Sequence, residues 1–332
     1  MAGSRRARAE PRSRPVAEAP LRIGISSCLL GEEVRWDGGH KRDVYIKDLL
    51  GRFFEWVPVC PELEVGMGVP REPIHLAGDA GKERLVGVRS GKDWTAAMQR
   101  YARRRVRQME QLDLSGYLLK KDSPSCGMER VRVYPARGPA SRNGVGAFAS
   151  VLMAGMPLLP VEEEGRLHDP ALRENFIERV FAYRRLQDWM TGGSTRSGLV
   201  AFHTAHKYLL LSHSPRHYQE LGRLVAAAKR YSPKRLGELY ARLFMEALRI
   251  PATVKRHSNV LQHIAGFLKE HLGPDEKQEL QGILDDYRKG WIPLVVPLTL
   301  LSHHVNRHQI DYILDQAYLH PHPKELMLLN HA

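Results

Sequence analysis

Apolar positions follow two rhythms along this chain. In the first half, short apolar runs end in turn-rich segments and alternate with amphipathic stretches, whereas the second half repeats only a helical period. Residues 21–27, LRIGISS, read as a strand that stops at Cys28 and the polar turn sequence GEEVRWDGG. The spacing of Val44, Ile46, Leu49, Leu50 and Phe53 predicts an amphipathic helix over 40–56, after which VPVC reads as a second strand ending at Cys60. Residues 84–88 suit another strand, and Asp93 is a candidate N-cap for a long basic helix over 94–111. The run GYLLK, 116–120, predicts a buried strand leading into KDSPSCG, where Pro124 and Gly127 enforce a loop. A helix over 145–153 and a strand over 157–161 complete this half.

Strands separated by helices argue for a Rossmann-like, doubly wound parallel α/β sheet. All three cysteines of the chain, Cys28, Cys60 and Cys126, then fall just past the carboxyl end of a strand, far apart as they are in sequence. Ligands of open α/β sheets gather outside those strand ends, so the three residues are expected to meet at one site. Asp169-Pro170 opens a helix running to about 190, and the Gly- and Ser-rich stretch 191–197 reads as a linker. Helices are expected beyond it over 199–211, from Ser-Pro starts at Ser214 and Ser232, and over 253–272, 275–289 and 296–318. The expected organisation is a disordered basic arm over 1–20, an α/β catalytic domain over 21–190 and an all-α domain over 191–332.

Composition narrows the class. No apolar run approaches the roughly 20 residues that span a bilayer, and the arginine-rich start lacks the apolar core of a secretory signal, so a cytoplasmic protein with no membrane partner is expected. Fifty Lys and Arg against 37 Asp and Glu give a net charge of +13, which favours polyanionic partners. Three cysteines cannot pair off completely, which directs attention to thiol or metal chemistry.

Three thiolates at one crevice can hold a [4Fe–4S] cluster by three of its irons, leaving one iron without a protein ligand. Unrelated buried cysteines, or a zinc site completed by His40 or His75, are the competing readings. The motifs around the cysteines distinguish these. ISSCLLG with VRWDGG, VCPELEVGMGVPREP and LLKKDSPSCG, in that order, resemble the thiouracil desulfurase family over about 21–160. AFHTAHKYLLLSHSPRHYQELGRLV and the terminal YLHPHPKELMLLN resemble the YbgA-like helical domain, and the pair resembles the RudS-like bacterial tRNA 4-thiouridine desulfidases.

That resemblance implies a [4Fe–4S] cluster on Cys28, Cys60 and Cys126 and a thiolated pyrimidine substrate, with tRNA as the partner. The implied reaction is non-redox desulfuration of 4-thiouridine to uridine with release of hydrosulfide. Glu62 is the candidate general acid/base and Ser123 a candidate hydrogen-bonding group at the reacting base. Ser125, Asp122 and Glu64 stand in reserve. Arg35, Asp37, Arg71 and Lys121, in the same loops, are candidates for holding the pyrimidine edge or a phosphate. The arginines of the helix around Arg100 to Arg107 read as a solvated face or a phosphate track. His203, His206, His213 and His217 read mainly as core or capping residues, with some phosphate or base contacts. Desulfuration of free thiouracils, and a cluster-bearing nucleic-acid-binding or redox-sensing module without turnover, are the alternative functions.

Overall fold

In the computed structural model the described residues are 20–79 and 81–330; the expected basic arm, apart from Pro20, lies outside them. Among the described residues the strands are β1 (Leu21–Ser26), β2 (Phe54–Val59), β3 (Ile74–Ala77), β4 (Arg84–Gly87), β5 (Leu114–Leu119), β6 (Val131–Tyr134), β7 (Ser141–Gly144) and β8 (Val161–Glu163). The helices are α1 (Pro61–Glu64), α2 (Thr95–Met109), α3 (Ala147–Gly155), α4 (Pro170–Thr191), α5 (Arg196–His213), α6 (Pro215–Ala226), α7 (Pro233–Leu248), α8 (Val254–Phe267), α9 (Pro274–Arg288), α10 (Val295–His308) and α11 (Asp311–Leu314). None is long and apolar enough to cross a membrane.

A four-stranded parallel sheet in the order β2-β1-β5-β8 organises the α/β half. Both of its faces are covered, which explains why every residue of the central strand β5 is buried rather than alternately buried and exposed. On one side, Tyr117 and Leu119 of β5 meet Met98, Tyr101 and Val106 of α2 and Phe148 and Leu152 of α3. On the other, Ile23 and Ile25 of β1 pack with Ile46, Leu50 and Phe176, Ile177 and Val180 of α4. Gly116 permits the close approach of α4, since a Cβ there would meet Val180 Cγ2 at 2.9 Å. The chain leaves β1 toward β2 on one side and later returns to β5 on the other, so a topological switch point lies at β1.

The expected helix over 40–56 does not form; the chain makes one π-type turn (Tyr45–Leu49) and one 3-10 turn (Leu50–Arg52). Only Ile46 and Leu50 of its apolar set are fully buried there, while Val44 is 65% exposed. The last strand of the sheet begins at Val161 rather than ending there. A second, mixed sheet in the order β4-β3-β6-β7 buries Leu76, Leu85, Val131 and Val133; of its strands only β4 matches an expected one, over 84–88.

Beyond α4 the described structure is helical, with a large core built around Phe202, Tyr240, Phe244, Leu261 and Leu301. Side-chain caps start α4, α6 and α7 as their sequence suggests: Asp169 accepts from Leu172 N, Ser214 from His217 N and Ser232 from Arg235 N. Helix α4 is shared, because Ala182 and Leu186 enter the helical core while its first half serves the sheet. Leu326 and Leu328, near the end of the chain, return to pack on the sheet side.

Candidate active site

The three cysteines follow three adjacent strands. Cys28 lies in a 3-10 turn (Ser27–Leu30) after β1, Cys60 directly follows β2, and Cys126 sits in the loop after β5. All three line one cleft of about 330 Å³ at the carboxyl edge of the parallel sheet. The thiols act electrostatically on one another: Cys28 and Cys60 both bear on the ionisation of Cys126. Burial, reinforced by the Glu62 charge, pushes Cys28 up to about 11 and Cys60 up to about 12, and burial drives Cys126 well above the ordinary thiol range. Without a cation these thiols are neutral; a soft metal centre reverses the balance by holding them as thiolates. Among the described residues no three His, Cys, Asp or Glu side chains are placed to hold a single ion, and neither His40 nor His75 lines the cleft.

Helix α1 presents its two carboxylates differently. Glu62 faces the cleft, with Oε2 3.6 Å from Cys60 Sγ and Oε1 3.5 Å from the Ser123 hydroxyl. The Ser123 oxygen also accepts from the amides of Ser125 (3.2 Å) and Cys126 (3.1 Å), so its proton is free for Glu62. Glu64 turns away. It accepts from the Cys60 amide (3.2 Å) and the Tyr101 hydroxyl (2.7 Å) and pairs with Arg105, fastening the Cys60 turn to α2.

The Cys126 loop is fixed from below. The amides of Ala147 and Phe148, which open α3 and lack intrahelical partners, donate to the carbonyls of Pro124 and Ser125. Gly146 allows this contact: a Cβ there would lie 2.5 Å from Ser125 O and 2.8 Å from Cys126 N. The positive end of α3 is therefore satisfied by loop carbonyls rather than by a ligand.

Of the four candidate substrate-binding residues, Arg35, Arg71 and Lys121 line the cleft and Asp37 does not. Asp37 instead makes an Asx turn, accepting from Gly39 N (3.1 Å), and braces Arg35 at 3.4 Å. Arg71 clamps two loops through the carbonyls of Val34 (3.0 Å) and Gly68 (2.9 Å). Ser125 is fully buried behind the loop, and Asp122 remains on the wall. Sequence reasoning passed over Trp36, Lys41 and Lys120. Trp36 is 45% exposed at the cleft wall, and Lys120 is held by Glu164, which also accepts from Lys121 N. The signal for Trp36 was present: a large aromatic in the polar turn VRWDGG has no reason to be there unless it meets a surface or a ligand. Five cations against Glu62 and Asp122 leave the wall positive.

The singled-out histidines are occupied structurally. His213 bridges the Ile250 carbonyl and Glu178, His206 bonds the Phe202 carbonyl, His203 the Tyr240 hydroxyl and His217 the Ser214 hydroxyl. On α2, Arg100, Arg103, Arg104 and Arg107 are exposed.

Both halves of the chain are similar to known proteins. The family described as 2-thiouracil desulfurase matches residues 23–164, and the family described as protein of unknown function DUF1722 matches 207–323. The uncharacterized protein YbbK of Bacillus subtilis (strain 168) is 36% identical over 110 residues, covering 32% of this chain and 72% of that protein. The uncharacterized protein YbgA of Escherichia coli (strain K12) is 29% identical over 158 residues, covering 47% of this chain and 92% of that protein. Among solved structures, the [4Fe–4S]-dependent thiouracil desulfidase TudS is 32% identical, covers 46% of this chain and 97% of its own, and superposes with a TM-score of 0.38. The chain belongs to the 2-thiouracil desulfurase family through its α/β half, to which a YbgA-like DUF1722 region is joined.

Proposed function

We propose that this chain is an iron–sulfur-dependent desulfidase that converts 4-thiouridine in tRNA to uridine and releases hydrosulfide. The observation that carries this reading is the convergence of Cys28, Cys60 and Cys126 on one cationic cleft shared with Glu62 and Ser123. The donor set fits the group: three sulfur ligands and no histidine line the wall, which suits a [4Fe–4S] cluster held at three irons. When bound, the cluster supplies a thiophilic Lewis acid for the leaving sulfur.

The rest of the chemistry falls to the chain's own side chains. Overall, one water enters and one hydrogen sulfide leaves, so protons move but no net electrons do. Glu62 is placed to take a proton from the attacking water and return one to the departing sulfur. Ser123, locked by two backbone amides, aims its hydroxyl at Glu62 and keeps that carboxylate in the cleft. Arg35, Lys41, Lys120 and Lys121 offset the negative charge that thiolates and substrate bring. Trp36 offers an aromatic face on which a pyrimidine can stack. The net positive charge of the chain supports RNA rather than a free base.

Anaerobically reconstituted protein mixed with thiolated tRNA, and separately with free 2-thiouracil, tests this. Loss of the thiocarbonyl absorbance of tRNA with stoichiometric sulfide is the expected result. Turnover of the free base alone would reassign the substrate, and tight tRNA binding without turnover would mean a binding module. Replacing any one of Cys28, Cys60 or Cys126 with Ala is expected to remove iron and turnover together; full iron and full turnover in any single variant would reject the shared site.

A further inference from the structure

A second cavity, of about 370 Å³, lies on the far side of the Cys126 loop, where the sheet meets the helical half. Met128, Met153 and Met156 line it together with Arg166, Arg179 and Arg249. These come from separate elements: Arg166 from the turn after β8, Arg179 from α4 and Arg249 from the end of α7.

Glu162 is the one acid on the wall among the described residues. It pairs with Arg166 at 2.6 Å and Arg179 at 3.4 Å, and Arg166 also reaches Glu129 at the exposed rim. Arg249 donates to the carbonyl of Pro157, and no ion pair engages it among the described residues. Arg179 is buried, and its Nε has no hydrogen-bond partner. Burial lowers its pKa to about 10; Glu162 opposes the shift while Arg249 and Arg166 add to it.

Arg166 and Arg179 share Glu162, Arg166 also holds Glu129 and Arg249 has no acid among the described residues, so the cluster keeps a net positive charge that an anion in the cavity would offset. Guanidinium geometry matches phosphate in two-point contacts, and polarizable methionines accept a flat apolar ring. The cavity has the size of a nucleotide-scale site. Its position fits a polymer already engaged next door: Glu162 faces this pocket, Glu163 accepts from Met128 N, and Glu164 holds the cleft lysines.

We propose that this pocket binds a phosphodiester and its adjoining nucleoside in the RNA whose thiolated base enters the cysteine cleft. The assignment rests on the tRNA reading above. Its test uses the full-length, iron-loaded protein and tRNA affinity measured over a salt series. Arg249→Gln is expected to weaken binding about tenfold near physiological salt and to lower the log–log salt slope by about one. Arg249→Lys, which keeps the charge, is expected to keep the slope. Iron content and thermal midpoint equal to wild type show that the fold is intact. Wild-type affinity and slope in Arg249→Gln would overturn the pocket while leaving the tRNA reading standing. A wild-type protein that desulfurates 2-thiouracil yet binds no tRNA would overturn both.

Discussion

At the scale of single residues, two glutamates two positions apart divide the labour. Glu62 faces the cleft beside the Ser123 hydroxyl, whereas Glu64 is engaged by the Cys60 amide, Tyr101 and Arg105. Glu62→Gln is expected to keep iron and lose about 10²–10⁴-fold in single-turnover rate, because shape survives and proton transfer does not. Glu64→Gln is expected to keep most of that rate and lose about 1–2 kcal/mol of stability in denaturant titration. Equal effects on the rate would erase the distinction. A different carboxylate makes its own contribution to pH dependence. Burial, with the neighbouring Glu178 charge, raises Glu174 to about 8, above its ordinary value of 4.5. The folded chain therefore holds this proton where the unfolded chain has released it, so the contribution of Glu174 to stability falls as pH rises from about 4.5 to 8. Glu174→Gln is expected to flatten that fall, raising stability by about 1–3 kcal/mol above pH 8 and little below pH 5. Chemical denaturation of both proteins across this window checks it; parallel curves would place the loss elsewhere. The convergence of the cysteines was legible in sequence because each follows the end of a strand. The turn-forming role of Asp37 was not, since a charged loop residue looks the same whether it meets substrate or a backbone amide.

At the scale of elements, α3 and the Cys126 loop form one unit. The loop carbonyls cap the helix, and Gly146 lets the two backbones touch. Gly146→Ala puts a methyl group against main-chain atoms that cannot step aside, so a loss of about 1–3 kcal/mol is expected, with weaker iron retention. Iron quantification after anaerobic desalting checks it, and wild-type retention would show that the loop tolerates displacement. The failed helix over 40–56 shows why periodicity alone misleads. Ile46 and Leu50 fill the sheet's flank from two short turns, and Asp43, accepting from Ile46 N at 3.0 Å, starts the first of them. Of the second sheet only β4 was expected; β3, β6 and β7 escaped notice because they are four residues long and one reads SRNG, with no apolar alternation to detect.

At the scale of the molecule, the two halves share parts. Helix α4 gives Phe176, Ile177 and Val180 to the sheet and Ala182 and Leu186 to the helical core, and the chain's end returns Leu326 and Leu328 to the sheet side. A chain ending at residue 190 would uncover the second half of α4 and lose both leucines, so it is expected to aggregate and to hold little iron. Size-exclusion chromatography with iron quantification reads this out; a monomer with full iron would mean that the halves fold independently. The sequence by itself determined the alternation of strands and helices, the capped starts of the second half and the three cysteines at strand ends, because these depend on local periodicity and turn chemistry. Only the tertiary structure decided which carboxylate faces the cleft, that Trp36 joins its wall, that three distant arginines line one cavity with Glu162 and that α4 serves two cores. Those facts depend on which surfaces are brought together across long sequence separations, and no local pattern encodes that.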